Sequence, residues 1–318
     1  MTPQSAGPWL APAGAALASL MLFVAPWFIP VLGALWVIWT PLPLILAYRQ
    51  RGLKAGRLAL GLTLAGALLM GQVFSVGAGG LYFLYYAAMV LVLGEAPHHR
   101  VGEPLALGTA ALAGVAAGVV LLLLSGLVPG SESLAVWRAA WHQELDTFMA
   151  ASRQAGMDAE SLEELRSALV QTGRLILRLA PGILCAGSLV LAWANLLLAR
   201  ILGRRLKPLE PPPEPLNGWQ APERLVWLLI AAGGLTWVGE GWVSWAGLNA
   251  LLPLGVIYFF QGMAVVAFWL EKKNAPRMLR AGLYALVAVE VFLALLVALA
   301  GLFDLWFNFR RLDGKQSA

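Results

Sequence analysis

"YALVAVEVFLALLVALAGLF", residues 284–303, is an apolar run with a single carboxylate, Glu290, inside it. Crossing the hydrocarbon of a bilayer takes about 20 mostly apolar residues in a helix, so the run is either a membrane span or a buried core helix. The rest of the chain decides between them. Its 318 residues are 60% hydrophobic and 12% charged, and its mean hydropathy is +0.75. Soluble domains carry about 25% charged residues. With so few charges, most of this chain can be solvated only by lipid or by itself, and it reads as an integral membrane protein.

Working outward from 284–303, the same length rule gives spans near 8–27, 29–48, 58–76, 78–94, 105–128, 179–202, 225–242, 249–270 and 279–303. The expected fold is therefore an all-α, polytopic transmembrane helical bundle of eight or nine spans. Pro26 and Pro30 are expected to break the chain between the first two spans. No cleavable leader is expected, since the first apolar run follows an uncharged N-terminus and leads straight into a second span.

Lys and Arg set the orientation. With the N-terminus inside, the cytoplasmic loops hold Arg49, Arg51, Lys54, Arg57, Arg100, Arg200, Arg204, Arg205, Lys207, Arg224, Lys272, Lys273, Arg277 and Arg280. The formal charge of +5 is thus a topology signal, not a nucleic-acid footprint. Nine spans would leave Arg310, Arg311 and Lys315 on the other side, against their preference. The expected topology is multi-pass, with the N-terminus cytoplasmic. The lone Cys185 can form no intramolecular disulfide.

Three regions are expected: a six-span module over 1–206, a Pro-rich cytoplasmic linker over 207–223, and a module of about three spans over 224–318. Within the first, 130–178 is the sizeable polar segment. Trp137, Trp141, Leu145, Phe148 and Met149 recur at helical spacing. Ser161 to Glu164 reads as a capping box opening a second helix, interrupted near Pro181. Together they predict an external helical hairpin, either lying on the interface or serving as a lid or docking surface.

Enzyme chemistry finds no foothold. The sequence has no GxxxxGK[ST] phosphate loop and no HExxH. His98 and His99 are adjacent, which is poor spacing for metal ligands, and Ser188 lacks the glycine pattern of a nucleophile elbow. No cofactor or metal is expected.

What remains is polarity inside the spans. A carboxylate near mid-bilayer is costly and usually faces the bundle interior. On the expected span, Glu290 lies close to the midplane. Asn195, Asn249 and Gln261, with Gln72, are further candidates, although amides in lipid commonly join helices by hydrogen bonds. Tyr82, Tyr85, Tyr86, Tyr258, Phe259 and Phe260 could line a pocket or face lipid, and Trp237, Trp242 and Trp245 around Glu240 suggest an outer interfacial belt. The tentative substrate-binding set is Glu290, Gln261, Asn249 and Asn195, expected to converge on one cavity.

Five segments carry a resemblance: "PLPLILAYRQRGLKAG" (41–56), "LAPGILCAGSLVLAWANLLLAR" (179–200), "WQAPERLVWLLI" (219–230), "IYFFQGMAVVAFWL" (257–270) and "GLFDLWFNFRRL" (301–312). In that order they resemble the YybS-like family of bacterial inner-membrane proteins. The first part is similar, more distantly, to substrate-binding S components of energy-coupling-factor vitamin transporters. That similarity implies six spans, no ATPase of its own, and partner membrane or ATPase subunits. It supplies no ligand residues to carry over. Two functions are expected from this: a transporter-like or substrate-binding subunit for a small solute, or a membrane scaffold in envelope biogenesis. The bilayer is a partner in either case, and nucleic acid in neither.

Overall fold

The computed structural model describes residues 10–73, 79–125, 133–205 and 218–310. Residues 207–217 of the expected linker, the tail beyond 310, and the side chains of Gln72, Tyr82 and Trp137 fall outside the described set. Among the described residues the chain is helical, with no strand. The helices are α1 (Leu10–Phe28), α2 (Pro30–Trp36), α3 (Leu42–Arg51), α4 (Leu53–Val73), α5 (Gly79–Glu95) and α6 (Glu103–Ser125). They continue with α7 (Ser133–Gln154), α8 (Ala159–Arg205), α9 (Leu225–Val238), α10 (Trp242–Lys272), α11 (Arg277–Val289) and α12 (Val291–Phe307).

Among the described residues, six stretches are long and apolar enough to cross a membrane, or seven if the bent pair α11–α12 counts as one. Eight or nine were expected. Two of the nine expected spans are shorter apolar helices, Phe83–Glu95 and Leu225–Val238. An apolar run fixes composition, but caps fix length. Gly239 ends α9 in extended backbone, with its N–H donating to the Leu235 carbonyl. The first break also differs from expectation. Pro26 lies inside α1, whereas Pro30 opens α2 at a position whose N–H the helix does not need.

Residues Met1–Ala180 and Leu191–Leu209 form one compact unit, and Pro181–Val190 with Glu210–Ala318 a second.

The first unit packs α1 to α6 and the end of α8 around Phe23, Leu44, Ile45, Tyr48, Phe83 and Met89. Tyr48 is fully buried. Its ring fills the space that a Cβ on either Gly56 or Gly94 would need, so two glycines bring α4 and α5 onto one aromatic side chain of α3. The second expected span is segmented as α2, a 3₁₀ turn at Val37–Trp39, and α3. Pro41 and Pro43 lack the amides that would continue an α-helical ladder there. Side chains from neighbouring helices take up carbonyls at the break: Asn195 Nδ2 donates to Ile38 O at 2.8 Å, and Ser19 Oγ to Thr40 O at 2.8 Å. Broken helices are tolerated in lipid where such groups are satisfied again.

Also in this unit, side chains of α7 meet the start of α8: Leu145 and Leu162 are buried, and a Cβ on Gly173 would lie 3.1 Å from the Trp141 ring. The cap sits three residues before the expected capping box. Asp158 accepts the Ser161 N–H at 2.9 Å and the Ser161 hydroxyl at 2.8 Å, so α8 opens at Ala159. Nor is α8 interrupted: it runs through Pro181 as one helix of 47 residues.

The second unit is built on α10. Gly247 lets α9 approach closely, since a Cβ there would meet Thr236 and the Ala232 carbonyl; Ser244 Oγ adds a 3.0 Å bond to Thr236 O. On α12, Gly301 lies against the Tyr258 carbonyl, while Gly262 of α10 lies against the Val297 carbonyl. These reciprocal glycine contacts define an antiparallel crossing with the backbones touching.

Candidate functional site

The most densely polar buried spot in the second unit lies where two non-helical segments meet the middle of α10. After α12 the chain turns back at Asn308, a left-handed residue whose N–H donates to Asp304 O. That reversal folds Arg310 onto Asp304. Arg310 Nη2 reaches Asp304 Oδ2 at 2.6 Å and Nε reaches the same oxygen at 3.1 Å, with both residues buried. Gln261 Nε2 approaches that oxygen too, at 3.4 Å. Gln261 Oε1 accepts the Ala221 N–H at 3.1 Å, and Arg310 Nη1 donates to Trp219 O at 2.9 Å. The segment leading into α9 is thereby tied to the same centre.

The pairing is lopsided. An arginine–carboxylate fork usually engages both oxygens, whereas here three donors converge on Oδ2. Among the described residues, Asp304 Oδ1 is buried with no hydrogen-bond partner, and so is the Tyr258 hydroxyl one turn before Gln261. Buried polar atoms without partners are costly. Asp304 Oδ1 is therefore an acceptor position for a donor brought by water or a solute.

Of the expected set, the structure places Gln261 in this centre and the other three elsewhere. Asn249 lies twelve residues away on α10, about 18 Å along the axis. Its Oδ1 accepts the Gly182 N–H at 2.7 Å and its Nδ2 donates to Trp245 O at 2.8 Å. Asn195 belongs to the first unit, where its Nδ2 also donates to Leu191 O at 2.9 Å. Glu290 is exposed. It is not within a helix at all: in extended backbone it ends α11 and begins α12, which diverge by 104°. Within the second unit, Gln261, Asn249 and Glu290 do not converge on one cavity among the described residues: Asn249 serves as a helix joint and Glu290 sits at a helix break.

Sequence reasoning missed Asp304 and Arg310. The signal was present in "GLFDLWFNFRRL": an acid near the end of an apolar run, a turn-forming Asn308, then arginine. Length-counting had treated the arginines as a tail.

The first unit gathers its charges at helix ends. Arg57 donates from Nε and Nη2 to the two oxygens of Glu95, at 2.7 and 3.0 Å, and His99 lies 3.6 Å from Glu95. Glu103 is paired with Arg200 and lies 3.9 Å from Arg49. The first pair joins α4 to α5, and Glu103 joins α6 to α8 with Arg49 of α3 alongside. Among the described residues no three His, Cys, Asp or Glu side chains are placed to hold a metal ion.

With this geometry in place, three comparisons bear on identity. The sequence profile of a family described as "Predicted membrane protein (DUF2232)" matches residues 17–305. "Uncharacterized protein YybS" of Bacillus subtilis (strain 168) is 24% identical over 287 residues, covering 89% of this chain and 91% of that protein. No solved structure matches.

Proposed function

This chain belongs to the DUF2232 family of predicted membrane proteins, and we propose that it is a substrate-binding or transporter-like subunit of the bacterial inner membrane. In this reading it is not an enzyme, has no ATPase of its own, and carries a small solute with a hydrogen-bond donor at the Asp304–Arg310–Gln261 centre. The supporting observation is the lopsided ion pair, whose Oδ1 is buried and open to a further donor. Ionisable groups inside a membrane bundle mark solute or ion paths more often than packing. Transporter sites are commonly bracketed by discontinuous helices. Here the entry to α9 and the exit from α12 both end on the same carboxylate–guanidinium pair. Energising the transport cycle would fall to partner membrane or ATPase subunits. The N-terminus is cytoplasmic in this reading, and spans beyond the six or seven long ones would be supplied by α5 and α9.

Native mass spectrometry of protein released from nanodiscs tests it. The expected result is a stoichiometric small-molecule adduct kept by Glu290→Gln and lost by Asp304→Asn, both eluting as single species. An adduct kept by Asp304→Asn, or wild-type protein that never carries one, contradicts the reading.

A second reading, a scaffold in envelope assembly, is supported by the groove between α7 and α8. It has a volume of about 410 Å³ and is lined by Met149, Leu162, Asp146, Arg153, Glu163 and Arg166. Apolar floor and mixed charges suit a peptide from a partner protein. A protein partner that co-purifies equally with wild type and Asp304→Asn would favour it.

A further inference from the structure

We propose that α11 lies in the plane of the membrane with its exposed face in an anionic leaflet, which places Glu290 at headgroup depth and not at mid-bilayer. The inference is independent of whether the Asp304 centre binds a solute.

The first support is register. Gly262 against Val297 and Gly301 against Tyr258 fix how α10 and α12 run past each other. Continued from those contacts to the start of α12, the same antiparallel register sets Glu290 level with Trp269. That is one turn short of Lys272, where α10 ends. One turn is about 5 Å, whereas the centre of α10 lies some twelve residues or about 18 Å deeper. Lys272 Nζ lies 5.0 Å from the Trp269 ring centroid and 5.8 Å from that of Phe268. A lysine over aromatic rings at the end of an apolar helix is the composition of a membrane–water boundary.

The second support is direction. A straight continuation of α12 through α11, a helix of 13 residues, would carry about 15 Å of it past the end of α10. Instead the axis turns by 104° at Glu290. α11 therefore runs roughly across the end of the α10–α12 pair.

The third support is the chemistry of the face left uncovered. Arg280, Leu283, Tyr284 and Val287 form the more buried side of α11, and the opposite side is apolar. Met278 is 88% exposed and Val289 79%, with Leu286 between them. In water that face would be unsatisfied; in the acyl-chain boundary it is solvated. The exposed cations Lys272, Lys273 and Arg277 precede or open the helix, offset nearby by Glu271 and Glu290. Cations at the rim of a buried apolar face favour an anionic leaflet. Arg280, whose Nε donates to the Ala275 carbonyl at 2.9 Å, holds the start of α11 to the loop before it.

The test uses full-length protein with Cys185→Ala, carrying one environment-sensitive fluorophore on Met278→Cys, Ala285→Cys or Val289→Cys. Ala281 and Ala288 are exposed substitutes should a site block reconstitution. The vesicles are phosphatidylcholine with or without phosphatidylglycerol, with nitroxide-labelled lipids as shallow or deep quenchers. The expected result is the same shallow-dominated quenching at all three positions. Labelled phosphatidylglycerol should quench more than labelled phosphatidylcholine, and that preference should vanish in a Lys272→Gln, Lys273→Gln, Arg277→Gln variant. A depth gradient from residue 278 to 289 of about 16 Å, or quenching by aqueous agents alone, would overturn the in-plane assignment. Equal quenching by the two lipids in wild type would overturn the anionic leaflet.

Discussion

Of two carboxylates in the last quarter of the chain, the one the sequence singles out is not the one the structure buries. Glu290 interrupts an apolar run and so looks like a group of the bundle interior, yet it is exposed and its side chain caps neither helix it joins. Asp304 is not singled out by reading the sequence at all, yet it is buried and holds Arg310. Removing one member of a buried ion pair strands the other and costs about 3–5 kcal/mol. Asp304→Asn should therefore lower unfolding stability in detergent by that order, whereas Glu290→Gln should change it by less than about 0.5 kcal/mol. Denaturant titrations followed by circular dichroism would compare the two. A larger loss for Glu290→Gln than for Asp304→Asn would reverse the assignment. Asn195 and Asn249 show a quieter use of polarity. Each hydrogen-bonds to backbone near a proline of a neighbouring helical segment, which is why an amide in a span is weak evidence for a ligand.

At the scale of elements, caps and close contacts decide what composition leaves open. Helix α8 opens on Asp158. The Ser161 amide and hydroxyl hold that carboxyl below its usual range. The sign follows directly: a carboxyl whose pKa is depressed by folding stabilises the fold above its unfolded value and loses that contribution as pH falls through the folded one. The protection of the Ser161 amide against hydrogen exchange should thus hold at neutral pH and weaken below about pH 4, where free aspartate protonates. In the Asp158→Asn variant, whose cap does not titrate, the protection should be insensitive over the same interval. Equal acid sensitivity in both proteins would remove Asp158 from the account. Elsewhere the elements are set by glycine. Gly56 and Gly94 admit the Tyr48 ring, and Gly262 and Gly301 bring α12 onto the α10 backbone. No sequence pattern distinguished these four from the other 30 of 34 glycines.

At the scale of the whole molecule, the class of fold was legible because it rests on a bulk property. A chain 12% charged has no other solvent than lipid, and the helical content follows from the need to satisfy backbone groups there. The number of spans was less legible. Among the described residues the expected span 225–242 is the short helix α9 and another is bent at Glu290, and helix ends depend on caps and neighbours more than on apolar runs. The polar centre was legible only in part. Gln261 was visible as an amide in a span, whereas its partners come from 43 and 49 residues further along the sequence and converge through a chain reversal at Asn308. The most direct measurement is carboxyl footprinting of the protein in nanodiscs. A water-soluble carbodiimide and an amine label would be followed by peptide mass spectrometry. The account predicts that Glu290 is labelled at a rate close to that of Glu271 while Asp304 stays unlabelled. Protection of Glu290 together with labelling of Asp304 would contradict it.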